Sequence, residues 1–298
     1  MLRIAIPNKG SLSGSAGAML HEAGYRQRTD TKELVIVDEE NGVEFFYLRP
    51  RDIAVYVGSG QLDIGITGRD LLLDSAAAAE EVLQLGFARS TFRFASMPGI
   101  AETVQDLEGM TIATSYPGVV EKHLAEHGVH ARGIVRLDGA VETAMKLGVA
   151  QVIADVVETG TTLAHLGLVV IGEPIMESEG IVIRPAGADT TDEAAQRFLR
   201  RLQSVLVARI YVMMDYDIRM EDVEAAVALT PGLESPTVSP LHKEGWAAVR
   251  AMVPADQAQH IMDELETVGA RAILATRIFS GRFSPLSPSI PRRSERDL

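Results

Sequence analysis

Cysteine is absent from the sequence, tryptophan occurs once, and aromatic residues make up only 5% of the 298 positions. The lack of cysteine excludes disulfide bonds, cysteine-ligated zinc, iron–sulfur clusters and thiol nucleophiles. Long uncharged hydrophobic runs are also lacking, because the apolar stretches are strand-length and flanked by charges, so no membrane-spanning helix is expected. The N-terminal residues lack the basic and long apolar regions of a signal peptide, and we therefore expect a cytoplasmic location.

Positive charge is scarce: 28 Lys and Arg residues stand against 41 Asp and Glu residues, a net charge of −13. An acidic chain is a poor candidate for nonspecific binding to nucleic acid or to anionic membranes, so neither is expected as a partner. A phosphate site in this chain has to be built locally, from backbone amides, a few cations and a divalent ion.

Short β-rich runs alternate with helical patterns over most of the chain, which predicts an α/β fold with parallel sheets flanked by helices. Two such blocks, residues 1–90 and 91–183, predict two lobes with a cleft between them. Strand Gly180–Ile183 is assigned to the second block, and the run Ala76–Ala79 is interpreted as helical. After residue 209 the order becomes β-α-β-β-α-β, which predicts a small ferredoxin-like domain.

The segment Ile153–Leu163 carries the most informative pattern, in which an apolar strand ends in an acid, a hydroxyl-rich turn and a helix. Backbone amides at a helix N-terminus bind anions, and Gly160 allows a phosphate to approach the backbone closely. Asp155 lies where it can accept hydrogen bonds from ribose hydroxyls. The layout indicates a site for a phosphorylated sugar, and the alternative is an ordinary strand–turn–helix capped by threonine.

Other polar junctions also follow predicted strands. Lys9 offers a point charge for a phosphate, and Arg49 and Arg51 offer guanidinium forks. The alternatives are a surface lysine in a turn and a structural Arg–Asp pair. Gly65–Asp70 is a further glycine-rich strand-to-helix turn. Each signal is weak alone, but all are expected at the same edge of the sheet, where open α/β folds bind ligands.

Six segments of the sequence are similar to motifs of one protein family. They are I-P-N-K-G at 6–10, F-Y-L-R-P-R-D-I at 46–53, L-D-I-G-I-T-G-R-D at 62–70, L-D-G-A-V-E at 137–142, D-V-V-E-T-G-T-T-L at 155–163 and T-P-G-L-E-S-P-T at 230–237. In these motifs the sequence resembles the long form of the ATP phosphoribosyltransferase family over residues 1 to about 283. The segment 155–163 is the most specific, since it matches the family's phosphoribosyl-diphosphate loop.

The resemblance implies an α/β fold with two periplasmic-binding-protein-like lobes and a cleft, plus a C-terminal ferredoxin-like regulatory domain. Its domain limits are residues 1–90 plus 184–209 for catalytic lobe I, 91–183 for lobe II and 210–282 for the histidine-binding domain. The Ser-, Pro- and Arg-rich residues 283–298 are expected to form a disordered tail.

The implied reaction condenses ATP with 5-phosphoribosyl 1-diphosphate, giving N1-(5-phosphoribosyl)-ATP and diphosphate, as the first step of histidine biosynthesis. The resemblance also implies a requirement for Mg²⁺, held mainly through the substrate. It further implies a cytoplasmic homo-oligomer that interconverts between dimer and hexamer, and feedback inhibition by histidine.

The resemblance assigns roles residue by residue. The residues expected to be catalytic are Asp155, Glu142, Arg49 and Lys9. Those expected to bind phosphoribosyl diphosphate are Asp155, Glu158, Thr159, Gly160, Thr161, Thr162 and Leu163. Those expected to bind ATP or diphosphate are Lys9, Gly10, Arg49, Gly68, Arg69 and Asp70. Those expected to bind the inhibitor histidine are Asp217, Leu233, Ser235, Thr237 and Ala272.

Two other functions stay open on the sequence alone. Two α/β lobes with a cleft also describe noncatalytic binding modules, namely solute-binding proteins and the effector domains of transcription regulators. The absent signal peptide disfavours an exported receptor, and the acidic balance with no helix-turn-helix disfavours a DNA-bound regulator. The other alternative is a regulatory subunit that binds a nucleotide or an amino acid without turnover. The intact loop at 155–163 argues against this second alternative.

Overall fold

The computed structural model describes residues 1–139, 141, 143–157, 161–189 and 191–281. These residues divide into two compact units, 1–196 and 197 onward, and the boundary between the units falls within one helix. Among the described residues, no helix combines the length and the apolar character needed to cross a lipid bilayer.

The strands in chain order are β1 (Leu2–Pro7), β2 (Val35–Asp38), β3 (Val43–Leu48), β4 (Ile64–Gly68), β5 (Ala79–Gln84), β6 (Ser90–Ser96), β7 (Thr111–Thr114), β8 (Gly133–Arg136), β9 (Val152–Val157), β10 (Val169–Ser178), β11 (Gly180–Pro185), β12 (Tyr211–Arg219), β13 (Thr237–Pro240), β14 (Trp246–Pro254) and β15 (Arg271–Arg277). The helices are α1 (Ser11–Glu22), α2 (Pro50–Gly58), α3 (Arg69–Ser75), α4 (Pro117–Glu126), α5 (Thr143–Lys146), α6 (Thr161–His165), α7 (Glu193–Ile210), α8 (Val223–Leu229) and α9 (Ala258–Thr267).

The first lobe is built on a six-stranded sheet in the order β2-β3-β1-β4-β11-β5. Strands β1, β3 and β4 are parallel, with Pro7 opposite Leu48 and Ala5 opposite Gly65. Strand β4 is buried along its whole length and β1 along most of it, as expected for central strands covered on both faces. The carboxyl ends of the three strands therefore meet at one edge of the sheet.

The second lobe is built on a five-stranded sheet in the order β10-β6-β9-β7-β8. Strands β7, β8 and β9 are parallel, and β6 runs antiparallel to β9 and β10. One face packs on a core that includes Phe92, Phe94 and Leu124. The opposite face packs on a second core that includes Ile153 and Leu163.

The chain crosses twice between these lobes, first between β5 and β6 and then between β10 and β11. Strand β11 was predicted in the second block, but it pairs with β4 and β5 in the sheet of the first lobe. The prediction of a helical run at Ala76–Ala79 was also wrong. Ala76 adopts a left-handed conformation at φ 48° and ends α3, and Ala79 begins β5. Pairing with β11, a partner about 100 residues later, fixes β5 as a strand and outweighs the helical preference of alanine.

The second unit contains a four-stranded antiparallel sheet in the order β13-β14-β12-β15, which is the ferredoxin-like arrangement. Its helices α8 and α9 pack on one face, where Met214, Tyr216 and Ile218 of β12 are buried. Because side chains alternate along a strand, Asp215 and Asp217 face the opposite, open side of the sheet. The predicted fold class, two α/β lobes with a cleft and a ferredoxin-like domain, is confirmed. Apart from the assignment of β11 to the first lobe, the finer domain limits stay predictions, and residues 283–298 lie outside the described residues.

Candidate active site

A cavity of about 930 Å³ lies in the first unit between the two lobes. It is lined by loops at the carboxyl ends of the parallel strands of both sheets and by residues beside the crossovers. Its charged lining residues are Lys9, Arg49, Arg51 and Arg136 together with Asp52, Asp70, Asp74, Asp138, Asp155 and Glu179. Carboxylates outnumber cations among these residues, so a highly anionic ligand would need a metal ion to offset repulsion.

The first wall of the cavity is formed by the loops after β1 and β3. Lys9 and Gly10 follow β1, and Gly10 adopts a φ of 78° immediately before α1, a conformation that favours glycine. Arg49 is extended because Pro50 follows it, and Pro50 begins α2. The exposed side chains of Lys9 and Arg49 are thus held at adjacent strand ends, as predicted.

The Lys9 loop has support that sequence reasoning missed. Arg28 donates a hydrogen bond to the Asn8 carbonyl at 3.0 Å, and its guanidinium lies 4.2 Å from the centre of the Tyr47 ring. The Asn8 Oδ1 atom is buried and has no hydrogen-bond partner among the described residues. Arg28 lies in an irregular segment 20 residues from Asn8, so no local pattern connects it to the loop.

Asp70 is buried at the junction of β4 and α3, with 8% of its surface exposed. The Ser178 hydroxyl donates to Asp70 Oδ1 at 2.9 Å and accepts from the Asp70 backbone amide at 3.1 Å. A Cβ at position 68 would collide with Asp70 Oδ1, so the absence of a side chain at Gly68 leaves room for the Asp70 carboxylate. Gly68 and Asp70 both line the cavity, and their role in binding ATP or diphosphate stays a prediction.

Contacts across the cleft join the first lobe to Tyr116 in the second. The Arg51 guanidinium lies 4.5 Å from the centre of the Tyr116 ring and pairs with Asp74 at 3.1 Å. Asp74 also accepts a hydrogen bond from the Gly118 amide at 2.9 Å. Arg51 thus forms the structural Arg–Asp pair that the sequence left open. Burial, followed by the charge of Asp70 and a hydrogen bond to it, raises the pKa of the Tyr116 phenol, which stays protonated.

The second wall is formed at the ends of β8 and β9. Asp155 and Val156 of β9 line the cavity, as do Arg136 and Asp138 at the end of β8. Asp155 is half-buried, and its Oδ1 accepts a hydrogen bond from the Val156 amide at 2.8 Å. The predicted ribose carboxylate therefore faces the same cavity as Lys9.

Three residues of the predicted phosphoribosyl-diphosphate loop, Glu158, Thr159 and Gly160, lie outside the described residues, as does the predicted catalytic residue Glu142. Thr161 and Thr162 begin α6, which follows the loop directly.

Two predicted ligand residues have other contacts. Leu163 is 9% exposed and packs in the core of the second lobe, so its side chain anchors α6 rather than lining the cavity. Arg69 is not among the lining residues, because its guanidinium pairs with Glu81 at 2.8 Å and Glu179 at 3.3 Å. These carboxylates raise the pKa of Arg69, and the largest cause is the hydrogen bonding that Arg69 donates to Glu81. The Arg69 guanidinium is thus engaged by two carboxylates, and we do not assign it to phosphate binding.

The predicted histidine-binding residues lie in the second unit. Asp217 of β12 is opposite Arg271 of β15, and Ala272 follows at a bulge with φ 49°. Thr237 belongs to β13, and β14 separates it from β12. Because strands are spaced by roughly 4.8 Å, Thr237 lies roughly 10 Å from the strand of Asp217. The unit thus brings Asp217 beside Ala272, whereas exposed Ser235 and half-buried Leu233 belong to the loop before β13.

Several cavity residues were missed in the sequence: Asp74, Tyr116, Arg136, Asp138, Ser178 and Glu179. The position of Tyr116 offers a usable signal, because it follows β7 and precedes Pro117 at the start of α4. This is the same strand-to-helix pattern that identified Arg49. Ser178 offers no such signal, since its role depends on the crossover between β10 and β11.

Comparison with known proteins decides the family. A family model described as "ATP phosphoribosyltransferase" matches residues 49–204, and one described as "HisG, C-terminal domain" matches residues 208–280. The ATP phosphoribosyltransferase of Streptomyces avermitilis is 71% identical over 287 residues, which cover 95% of this chain and 100% of that relative. The chain belongs to the ATP phosphoribosyltransferase family.

Other members support the assignment. The ATP phosphoribosyltransferase of an Arthrobacter species is 61% identical, with coverage of 95% of this chain and 100% of that relative. A solved chain from an ATP phosphoribosyl transferase (HisG:HisZ) complex of Thermotoga maritima is similar at a TM-score of 0.60 and 28% identity, covering 69% of this chain and 98% of that chain. Membership in the ATP phosphoribosyltransferase family makes the chain a pentosyltransferase of histidine biosynthesis.

Proposed function

We propose that the chain condenses ATP with 5-phosphoribosyl 1-diphosphate in the interlobe cavity, giving N1-(5-phosphoribosyl)-ATP and diphosphate. The observation that carries the proposal is the pairing of two walls: Lys9 and Arg49 on the first lobe face a cavity that Asp155 lines from the second. The volume of about 930 Å³ is at the upper end of the range for small-molecule sites, roughly 300–1,000 Å³.

The sugar phosphate is assigned to the second wall. Asp155 accepts hydrogen bonds from the ribose hydroxyls, and Thr159, Gly160, Thr161 and Thr162 hold the 5-phosphate through backbone amides and hydroxyls. The loop assignment rests on the sequence motif. It is supported by its place in the chain, since Val157 ends β9 two residues after the cavity residue Asp155.

The nucleotide and the diphosphate are assigned to the first wall. Lys9 and Arg49 offset phosphate charge, the Gly10 backbone lets a phosphate approach closely, and Asp70 accepts hydrogen bonds from the nucleotide. Tyr116 of the second lobe contacts both Asp70 and Arg51 at this wall.

The chemistry needs alignment more than a protein nucleophile. The bond from ribose C1 to diphosphate breaks and the bond from C1 to adenine N1 forms, with positive charge building on the ribose between the two events. The two walls hold N1 and C1 in line, which converts a two-substrate encounter into a unimolecular step. The carboxylate of Asp155 is placed to stabilise the developing positive charge.

The donor set suits Mg²⁺, which prefers oxygen ligands and keeps part of its shell for substrate phosphates. Among the described residues, no group of three or more His, Cys, Asp or Glu is arranged to hold a metal. We assign Mg²⁺ mainly to substrate oxygens, and cavity carboxylates such as Asp155 and Asp138 would help to hold the ion. When bound, it would neutralise the diphosphate as that group leaves.

Feedback inhibition by histidine is assigned to the second unit, in a homo-oligomer that exchanges between dimer and hexamer. The support is chemical: Asp217 on the open sheet face can bind an amino group or a protonated imidazole. Thr237 lies two strands away from Asp217 in the sheet. The five predicted histidine-binding residues can therefore surround one ligand only if the loop at 231–236, which carries Leu233 and Ser235, reaches over the sheet between them. Inhibition then requires that histidine bind one oligomeric state more tightly than the other. A cytoplasmic location stays a prediction.

Calorimetric titration with 5-phosphoribosyl 1-diphosphate and Mg²⁺ tests the proposal against a noncatalytic sensor. We expect saturable binding that the double variant Gly160→Ala and Thr161→Val weakens strongly, while its affinity for ATP is kept. No binding by the folded wild-type chain would contradict the proposal. Unchanged affinity in the double variant would remove the loop from the site.

A further inference from the structure

The two crossovers between the lobes run side by side. The first comprises residues 85–89, between β5 and β6, and the second is Glu179, between β10 and β11. The Leu85 amide donates to the Gly180 carbonyl at 2.9 Å, and the Gly180 amide donates to the Phe87 carbonyl at 2.8 Å. Any change of angle between the lobes within the first unit has to bend both segments together.

One guanidinium joins these segments to the first lobe. Arg69, at the start of α3, forms two hydrogen bonds with Glu81 of β5, at 2.8 and 2.9 Å, and contacts the Glu179 carboxylate at 3.3 Å. The other Glu179 oxygen accepts from the Gly86 amide at 3.0 Å, and the Glu179 carbonyl accepts from the Arg69 amide at 3.1 Å. Glu179 thus links the second crossover to the first, and Arg69 links both to β5 and α3.

The geometry gives this pair more weight than an ordinary surface ion pair. The Arg69 side chain is 20% exposed and that of Glu179 is 12% exposed, so water screens their interaction only in part. The two-point contact with Glu81 fixes the guanidinium plane, and Nη2, one of the two nitrogens in that contact, also donates to the Glu179 carboxylate. Glu81 is held ionised, because the hydrogen bond from Arg69 lowers its pKa.

The same cluster touches the cavity. Asp70 follows Arg69, and Ser178 precedes Glu179. Through the two hydrogen bonds between Asp70 and Ser178, the residue assigned to the nucleotide is tied directly to the second crossover. A shift of Glu179 would therefore move Asp70 as well as the second lobe.

We propose that Arg69 and Glu179 form a hinge clamp that fixes the angle between the two lobes, and that Arg69 is a positioning residue for the transfer reaction. The inference rests on the proposed function, in which one substrate is held on each lobe. With N1 and C1 on different lobes, a small change of angle separates the reacting atoms without removing any ligand contact. Displacements of about 1 Å can cost about a hundredfold in rate.

Kinetic analysis of Arg69→Gln, Glu179→Gln and the double variant tests the clamp. The matched controls are Arg184→Gln and Glu80→Gln, which break a 2.7 Å ion pair between the neighbouring strands β11 and β5 away from the crossovers. We expect the clamp variants to lower kcat about tenfold to a hundredfold, with the dissociation constant for 5-phosphoribosyl 1-diphosphate within about twofold of wild type. The kcat of the double variant should be no lower than that of either single variant, because both substitutions break the same Arg69–Glu179 contact.

Three kinetic results would overturn the clamp. The first is a dissociation constant raised tenfold or more with kcat retained, which would make Arg69 a phosphate ligand. The second is fully additive effects of the two substitutions, and the third is a kcat equal to that of the controls. Arg69→Lys, which keeps the charge, should retain more of kcat than Arg69→Gln. If Arg69→Gln does not fold, Glu179→Asp removes one methylene and withdraws the carboxylate from the same contact, and the same results are expected of it.

A distance measurement separates failure of the clamp from failure of the proposed function, since it needs no activity. The chain has no cysteine, so Gln61→Cys on the first lobe and Glu121→Cys on the second accept spin labels selectively. In protein diluted with unlabelled chains, the interlobe distance distribution should broaden in the clamp variants and stay narrow in the controls. An unchanged distribution in the clamp variants would overturn the clamp even if the wild type forms no product. If the wild type forms no product but the interlobe distance distribution broadens in the clamp variants, the proposed function is contradicted and the clamp is not.

Discussion

Gly68→Ala is a one-methyl perturbation that tests the placement of Asp70. The backbone at Gly68 is extended, at φ −87° and ψ 146°, so alanine fits this conformation without strain. The new Cβ would nevertheless overlap Asp70 Oδ1, with Leu12 Cδ1 at 3.8 Å on the same side. The Asp70 carboxylate has to rotate away, which breaks its 2.9 Å hydrogen bond from Ser178.

The size of the effect follows from that lost bond. A hydrogen bond to a charged group contributes about 1.5–3 kcal/mol, so the free energy of unfolding should fall by about that amount. The melting temperature should fall by about 3–12 °C. If the bond also holds Asp70 toward the nucleotide, kcat/KM for ATP should fall by about 10- to 150-fold, with the affinity for 5-phosphoribosyl 1-diphosphate unchanged.

Steady-state kinetics and thermal unfolding measure both effects. The matched control is Gly133→Ala, a strand glycine at which a Cβ would meet nothing within 4 Å. In an Asp70→Ala background, Gly68→Ala should have little further effect on kcat/KM, since its target is gone. Wild-type stability and kinetics in Gly68→Ala would refute the reasoning, as would an equal effect of the control.

Three further predictions concern separate parts of the molecule. Asp217→Ala should abolish inhibition by histidine in an inhibition titration while uninhibited kcat stays near wild type, and full retention of inhibition would count against the assignment of the C-terminal site. Burial, followed by the neighbouring charge of His127, lowers the pKa of His123 below its ordinary value of 6.5. The stabilisation of the folded state by neutral His123 is therefore complete above about pH 6.5 and is lost as the pH falls through the lowered pKa. Urea unfolding at pH 7.5 and 5.5 should show a smaller loss of stability on acidification in His123→Gln than in wild type, and equal losses would contradict this sign. Phe94→Ala, at a fully packed position of the second lobe, should cost about 3–5 kcal/mol in the same assay, and a cost below about 1 kcal/mol would contradict the described core.

Local pattern was enough to predict much of the fold and one wall of the site. Val43–Leu48 alternates as a strand should, and Pro50 after Arg49 specifies both the end of that strand and the start of α2. Because parallel strands end at a common edge, locating these junctions in the sequence also brought Lys9 and Arg49 together.

The features that sequence reasoning missed depend on partners far along the chain. Strand β11 could not be assigned to its sheet until the crossover at Glu179 was seen, and β5 depends on β11 in turn. Arg69 lies in a glycine-rich turn, and from the sequence alone its guanidinium could bind a phosphate as well as a carboxylate. Only Glu81 and Glu179, which lie 12 and 110 residues away, decide that its guanidinium is already engaged. The contact between Tyr116 and Arg51 was also missed, because the two residues belong to different lobes and come together only in the folded chain.

The central claim, that the interlobe cavity catalyses phosphoribosyl transfer to ATP, is tested most directly by product formation. Wild type and Asp155→Asn are mixed with ATP, 5-phosphoribosyl 1-diphosphate and Mg²⁺, with pyrophosphatase to remove diphosphate, and product is followed by ultraviolet absorbance. Parallel reactions contain histidine. We predict N1-(5-phosphoribosyl)-ATP from the wild type, a large loss of kcat in the variant, and suppression of the wild-type reaction by histidine. No product from folded wild-type protein, or undiminished turnover in Asp155→Asn, would contradict the claim.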